Sequence, residues 1–211
     1  MSDRDFNFEP QPGLPAPLPA GEDLLWQGSP DAAALSREAF KLHWITGYLI
    51  VIALWRAGAA FADAGAVGSI ARLLPYLALA GAGYAVIRFL GWMQARATIY
   101  SITSARVIMR IGAALPITYT IPFVCIDNAS VTVDPKTGHG TIALQTSGNM
   151  RLSYGVMWPH VRPWFLRQPQ PAFRAIPDAA RVARILADAA QAKINEPRIE
   201  TQPAAALVAA E

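Results

Sequence analysis

The chain is short of the residues that staple or activate a small protein. Its one cysteine, Cys125, excludes a disulfide framework within the chain and any zinc site built on cysteine. Its histidines are His43, His139 and His160, and none stands at metal-ligand spacing from another histidine or from the cysteine, so no metal site is expected. No Ser-His-Asp arrangement and no glycine-rich phosphate loop can be defended, so no reaction class is supported and an enzyme is not expected. Charge is scarce as well: Asp, Glu, Lys and Arg make up 16% of 211 residues, against about 25% in a soluble domain. Mean hydropathy is positive, +0.26. Low charge with 53% hydrophobic residues argues against disorder and against a purely soluble globule. The net charge of +3 and pI near 9.2 acquire meaning only once they are located along the chain.

The apolar excess sits in two runs, Leu42–Ala62 and Leu73–Met93, each about 21 residues and so about 30 Å as a helix, the thickness of a bilayer core. Each run holds one charge, Arg56 or Arg88, placed where it can snorkel to headgroups. The short connection Asp63–Arg72 predicts an antiparallel hairpin. Arg37 and Lys41 precede the first span, and Arg96, Arg106 and Arg110 follow the second, so both termini are expected on the cytoplasmic side. Trp44 and Trp92 then fall at that same interface. Small residues recur at helix-packing spacing, Gly58 and Ala62 in the first run and Ala78, Ala82, Gly81 and Ala85, with Gly83 and Gly91, in the second, and predict close helix packing.

Residues 1–30 form the N-terminal arm. Met1–Pro10 is acidic and lacks a basic segment followed by an apolar one, so no signal peptide is expected. Pro10, Pro12, Pro15, Pro17 and Pro19 favour a stiff polyproline arm, which serves either as a spacer or as a docking peptide. Leu24, Leu25 and Trp26 suit a short strand. Asp31–Lys41 reads as a helix capped near Ser29 or Asp31 that enters the membrane.

From Ala95 the pattern becomes β-rich. Short strands are expected at Thr98–Ile102, Arg106–Ile111, Ile117–Pro122, Ala129–Val133, Gly140–Thr146, Met150–Tyr154 and Phe173–Ile176, separated by turn signals. Pro177 and Asp178 open an amphipathic helix whose apolar face is Val182, Ile185, Leu186 and Ala189, and Pro197 stops it. The fold class expected is therefore an α+β membrane protein. A two-helix transmembrane hairpin (31–94) is followed by a cytoplasmic PH-like β-barrel or sandwich (95–195), capped by a C-terminal helix. A disordered tail (196–211) follows.

Gly21, Glu22, Leu25, Trp26, Gln27, Gly28 and Pro30, then two spans, then Tyr100-Ser101-Ile102-Thr103-Ser104-Ala105-Arg106-Val107-Ile108 resemble the bacterial PH-domain membrane proteins. In that family the segment after the second span commonly reads Y-x-L-T-x-x-R, and Ile102 stands here for the leucine. A closer resemblance is to the PuhB family of photosynthetic-complex assembly proteins of purple bacteria. It is carried by Pro12–Pro15, Leu18–Glu22, Trp158–Trp164 and Ile176–Ala183, and extends over nearly the whole chain. The resemblance implies a non-catalytic factor in the intracytoplasmic membrane that binds reaction-centre and core light-harvesting subunits, without a cofactor, as a homodimer.

Two regions are candidates for binding. The segment Val156–Pro171 is long for a loop and holds Trp158, His160, Arg162, Trp164, Phe165 and Arg167 with no acid. Aromatic residues with arginine suit a protein interface, and equally a loop lying on anionic lipid; nucleic acid ranks behind both, because the basic residues are few and the domain is tethered to the membrane. The plainer alternative is that the aromatics fold back as core. Pro12, Pro15, Pro17 and Pro19 are the candidate docking arm. His43, at the mouth of the first span, is a candidate ligand for a bacteriochlorophyll magnesium, against the plainer reading of an interfacial histidine. The rival functions are an anionic-lipid-binding PH-type protein and a pigment carrier.

Overall fold

The computed structural model describes residues 12–147 and 152–195. The tail expected over 196–211, Pro197, and Met150 and Arg151 of an expected strand lie outside the described residues. The elements in order are β1 (Leu24–Gly28), α1 (Ala32–Glu38), α2 (Leu42–Ala97), β2 (Ile99–Thr103), β3 (Arg106–Ile111), β4 (Ile117–Pro122), β5 (Ile126–Val133), β6 (Gly140–Thr146), α3 (Tyr154–Met157), β7 (Ala172–Ile176) and α4 (Ala179–Ile194).

α1 begins where expected. The Asp31 carboxylate accepts from the Ala34 amide at 2.7 Å, satisfying one of the free donors at the helix start. Lys41 then turns the chain in a left-handed conformation (φ 54), so α1 does not run on into α2. The α2 stretch differs from expectation between Asp63 and Arg72. No ten-residue loop forms there; the backbone is helical on both sides of Gly65. Alanine, valine, serine and isoleucine tolerate the helix, and Gly65 alone breaks it, at φ 62 and ψ −164, a region only glycine reaches without strain. The arms on either side of the break touch. The Leu49 Cδ1 atom lies 3.2 Å from where a Cβ on Gly83 would stand, and the Arg56 guanidinium sits 5.9 Å from the centre of the Tyr76 ring. In one straight helix Leu49 and Gly83 would be about 50 Å apart. The small residues that are buried in the arms are Ala53, Ala60 and Ala80, with Gly91 and Ala95 further along. Of the small residues expected to pack, Gly83 faces Leu49 and Gly91 is buried against Ser36, while Gly58, Ala62, Ala78, Gly81, Ala82 and Ala85 are exposed. Large apolar groups stay exposed along α2, among them Trp44 (80%), Trp55 (72%) and Val67 (82%).

The β-rich part forms two antiparallel sheets, ordered β1-β2-β3-β4 and β5-β6-β7. Alternation along β2 and β3 sends Tyr100, Ile102, Val107, Met109 and Ile111 into the space between the sheets, where they meet Ile142, Leu144 and Phe173. Val182 and Leu186 of α4 close one end. Trp26 of β1 stacks on Phe173 (6.0 Å), and Phe173 on Tyr100 (4.4 Å). Pro177 lies just before α4 instead of in its first turn. Asp178 stands at the N-cap position in a left-handed conformation (φ 50), which aspartate tolerates better than most residues, and its side chain makes no cap hydrogen bond. The described part of the expected strand Met150–Tyr154 is not a strand: Tyr154 starts α3. Cys125 is half-buried and free, in the short 3₁₀ turn joining β4 to β5.

Gly140 is a point of close approach. A Cβ there would stand 2.4 Å from the Thr132 carbonyl oxygen and 2.7 Å from the Ala179 Cβ, so β5, β6 and α4 meet only because the residue is glycine. Gly140→Ala is expected to destabilise the domain by about 1–3 kcal/mol through overpacking; an unchanged melting temperature would contradict it.

The N-terminal arm does not stand free from residue 12 on. Leu14 is fully buried, Gly13 (φ 85) presses on Ile99, and the Gln27 side chain donates to the Pro12 carbonyl at 2.9 Å. Ile99 points opposite to Tyr100, so this stretch of the arm covers the outer face of the first sheet. Pro12, Pro15, Pro17 and Pro19 remain exposed beside that anchor. At its end Glu22 forms a two-pronged ion pair with Arg106 of β3, at 2.8 Å from Nε and 2.5 Å from a terminal nitrogen. The hydrogen bonds from Arg106 hold the Glu22 carboxyl below its usual range. The folded carboxylate is thus favoured, so this contribution is present above pH 4.5, the ordinary value, and fades as pH falls through the lower folded value. A double-mutant cycle on Glu22→Gln and Arg106→Gln is expected to give a coupling of about 0.5–1 kcal/mol at neutral pH, shrinking in salt. No coupling would mean that the buried Leu14, the Gly13 contact with Ile99 and the Gln27 bond to Pro12 hold the arm without the ion pair.

Candidate functional site

The long segment between β6 and β7 becomes a projecting loop with a closed neck. α3 drops Met157 into the core. The chain then passes through a cis Trp158–Pro159 bond. The neck is closed by main-chain bonds: the Arg162 amide donates to the Gln170 carbonyl (2.9 Å) and the Ala172 amide to the His160 carbonyl (3.0 Å), with Val161 opposite Pro171. Pro163 and Trp164 are central residues of a turn, with Trp164 at φ 72. Proline followed by a positive φ is the pattern of a tight turn, but glycine is the usual second residue. A tryptophan there is held outward and is 90% exposed.

The expected binding residues separate into two groups. His160 is 1% exposed and cannot meet a partner, which corrects its assignment as a contact residue. The neck turns its ring inward between α2 and β2. The Tyr100 hydroxyl lies 2.7 Å from Nδ1 and Thr98 Oγ1 lies 3.0 Å from Nε2. The Arg174 amide donates to the Tyr100 oxygen (3.3 Å), which leaves the hydroxyl proton for Nδ1. Nε2 then carries the ring proton and donates to Thr98, a neutral tautomer assigned from the network. Burial, with the positive Arg174 close by, holds the imidazole down to about 3. Burial likewise pushes the Tyr100 phenol above its usual range and the Arg174 guanidinium below its own. Arg162 is half-buried and works within the loop: it donates to Ser130 Oγ (3.2 Å) and Gln170 Oε1 (3.1 Å), and its guanidinium lies 4.4 Å from the Phe165 ring centre. Phe165 is thereby steadied at 39% exposure.

The second group faces outward. Trp158 (45% exposed), Trp164 and Arg167 are accessible, and Leu166 (65%) joins them, a residue the composition of the segment did not single out. Trp158 also packs edge-on against Phe40, at 5.0 Å and 73°, two residues before α2 begins. The loop is therefore tied to both flanks of the apolar helix, through Phe40 before it and Thr98 after it. Elsewhere, His43 is exposed in the first turn of α2. With Trp44, Gly47, Tyr48 and Val51 it lines an open depression of about 520 Å³. A second groove, about 370 Å³, runs between β5 and α4 and is lined by Ile126, Val131, Leu186 and Ile194 among others. Among the described residues, no group of three or more His, Cys, Asp and Glu side chains could hold a metal ion.

The model of the bacterial PH domain family matches residues 42–190. The chain belongs to the bacterial PH domain family. The match begins at the first residue of α2, so the apolar stretch and the PH-like sheets form one family unit. A relative from Rhodobacter capsulatus, described as an uncharacterized 23.7 kDa protein in the puhA 5' region, is 54% identical over 214 residues and is covered completely, as is this chain. A DUF1696 family protein with a pleckstrin-homology domain from Shewanella loihica, solved by crystallography, is similar over 44% of this chain and 71% of its own at 14% identity, with a TM-score of 0.29.

Proposed function

We propose that this bacterial PH-domain protein is a non-catalytic, membrane-anchored assembly factor of the PuhB type, which binds subunits of the photosynthetic reaction centre and core light-harvesting complex through its PH-like domain. The observation that carries this reading is the full-length relative at 54% identity from the puhA 5' region, a photosynthesis-related neighbourhood. The loop and arm motifs quoted above support the same family.

The anchor in this reading is α2, long and apolar enough to cross a membrane, with only 11% of its most apolar window buried. A core helix of a soluble protein would hide that surface. The contacts of Leu49 with Gly83 and Arg56 with Tyr76 support two passes, with the reversal at Gly65. Arginines and Lys41 at the domain end of both arms favour a cytoplasmic domain with both termini on that side. Deleting the gene is expected to lower reaction-centre and core-antenna absorbance in the near infrared while pigment synthesis continues, and the wild-type gene restores both. Normal complex levels in the deletion strain would overturn the assembly reading.

A further inference from the structure

We infer that the tip of the Val161–Pro171 loop is a membrane-interface anchor, with Trp164 and Leu166 seated among the headgroups and upper acyl chains of the leaflet that faces the PH-like domain. This rests on the reading of α2 as membrane-spanning and adds a second, independent foothold to it.

Position comes first. Phe40 stands two residues before α2 and Thr98 directly after it, so both mark the level at which the chain meets the bilayer. The loop is fastened to both: Trp158 lies edge-on to Phe40, and the buried His160 is hydrogen-bonded to Thr98. A loop held at that level by both helix flanks projects its tip at the interface zone. Composition comes second. Trp164 is 90% exposed and Leu166 65%, a concentration of apolar surface at a loop tip that water does not favour. Tryptophan is the side chain that prefers the headgroup level. Between Val156 and Pro171 there is no acidic residue, while Arg167 is exposed and Arg162 stands at the neck, the charge pattern that suits anionic lipid.

Conformation comes third. Trp164 sits at φ 72, a backbone region that bulky side chains rarely adopt, and the closed neck holds it there. A tryptophan that merely needed cover could fold back onto the domain, as Trp26 does on Phe173. The loop holds it out instead, and steadies the neighbouring Phe165 beneath the Arg162 guanidinium. A fixed, outward aromatic costs little further ordering when it enters lipid.

The test uses the full chain in nanodiscs of zwitterionic lipid with an anionic fraction. Cys125→Ser removes the native thiol. Single cysteines at Trp164→Cys, Leu166→Cys, Val51→Cys and Lys136→Cys then carry an environment-sensitive fluorophore, and nitroxide lipids of graded depth report its position. Circular dichroism checks that each variant folds. Labels at 164 and 166 are expected about 5–10 Å into the headgroup and acyl boundary, with Val51 deeper and Lys136, in the β5–β6 turn, in water. An aqueous signal at 164 and 166 with Val51 in the acyl region would overturn the anchor and leave the spanning reading standing. An aqueous signal at Val51 would overturn the spanning reading, and the anchor with it. If 164 is aqueous in nanodiscs yet shielded in membranes assembling photosynthetic complexes, the loop docks protein, and the lipid anchor is wrong.

Discussion

Phe173→Ala is expected to cost the domain about 3–5 kcal/mol, the range for truncating a fully buried aromatic. Phe173 is completely buried near the start of β7 and joins parts of the chain far apart in sequence. Its ring stacks on Tyr100 at 4.4 Å and on Trp26 at 6.0 Å, so one side chain bridges β7, β2 and β1. Alanine would remove the transfer energy of the ring and leave a void between two stiff aromatics that cannot collapse into it. It would also strip one wall from Tyr100, whose hydroxyl orders His160. The check is thermal unfolding of the full chain in nanodiscs, followed by near-ultraviolet circular dichroism. A fall in melting temperature of roughly 15 °C or more is expected for a domain of this size. A change of a few degrees would show that the three-ring stack is not the centre of the core.

The strands were the legible part of this fold, for a reason visible in single residues. Arg106–Ile111, Ile117–Pro122 and Gly140–Thr146 alternate or run apolar between sharp turn signals, and each forms at the expected boundaries. The apolar helix was legible as an apolar excess, but its turning point was not. A ten-residue connection looked like a loop, whereas the backbone stays helical on both sides of a break confined to one glycine, Gly65. The candidate site was half legible. Composition marked Val156–Pro171 as a segment apart, and Trp158, Trp164 and Arg167 are accessible. Composition could not tell which way each side chain points. His160 and Arg162 look equally polar in the sequence, yet the neck turns the imidazole inward and lays the guanidinium along the loop. The partners that decide this, Thr98, Tyr100, Ser130 and Phe40, lie more than 30 residues away in the chain. Leu14 shows the same limit. Five prolines suggested an extended arm, and one buried leucine among them, with Glu22 paired to Arg106, fixes its described part to the sheet.

Acid is expected to loosen the latch that holds the loop, because His160 is buried in its neutral form. Its value is about 3 in the folded chain against an ordinary 6.5. The unfolded chain therefore binds a proton that the folded chain refuses, and stability falls as pH drops below 6.5 and continues to fall until about pH 3. At pH 5 the loss amounts to about 2 kcal/mol, since each unit of separation is worth about 1.4 kcal/mol. The window from pH 6.5 to 5 lies above that of Glu22, which fades only below its ordinary 4.5, so the two contributions separate on a pH axis. Replacing the ring by an amide in His160→Gln keeps a donor and an acceptor near Tyr100 and Thr98 but removes the titration. The variant is expected to be less stable at pH 7 and to lose less on going to pH 5 than the parent, narrowing the gap by about 2 kcal/mol. Unfolding measured at pH 7, 6 and 5 in nanodiscs decides it. Parallel slopes for parent and variant would mean that water reaches the imidazole and that the contacts to Thr98 and Tyr100 do not seal it. A steeper parent slope would identify the buried His160, held between Tyr100 and Thr98, as the group through which acid acts on the junction between the apolar helix and the PH-like domain.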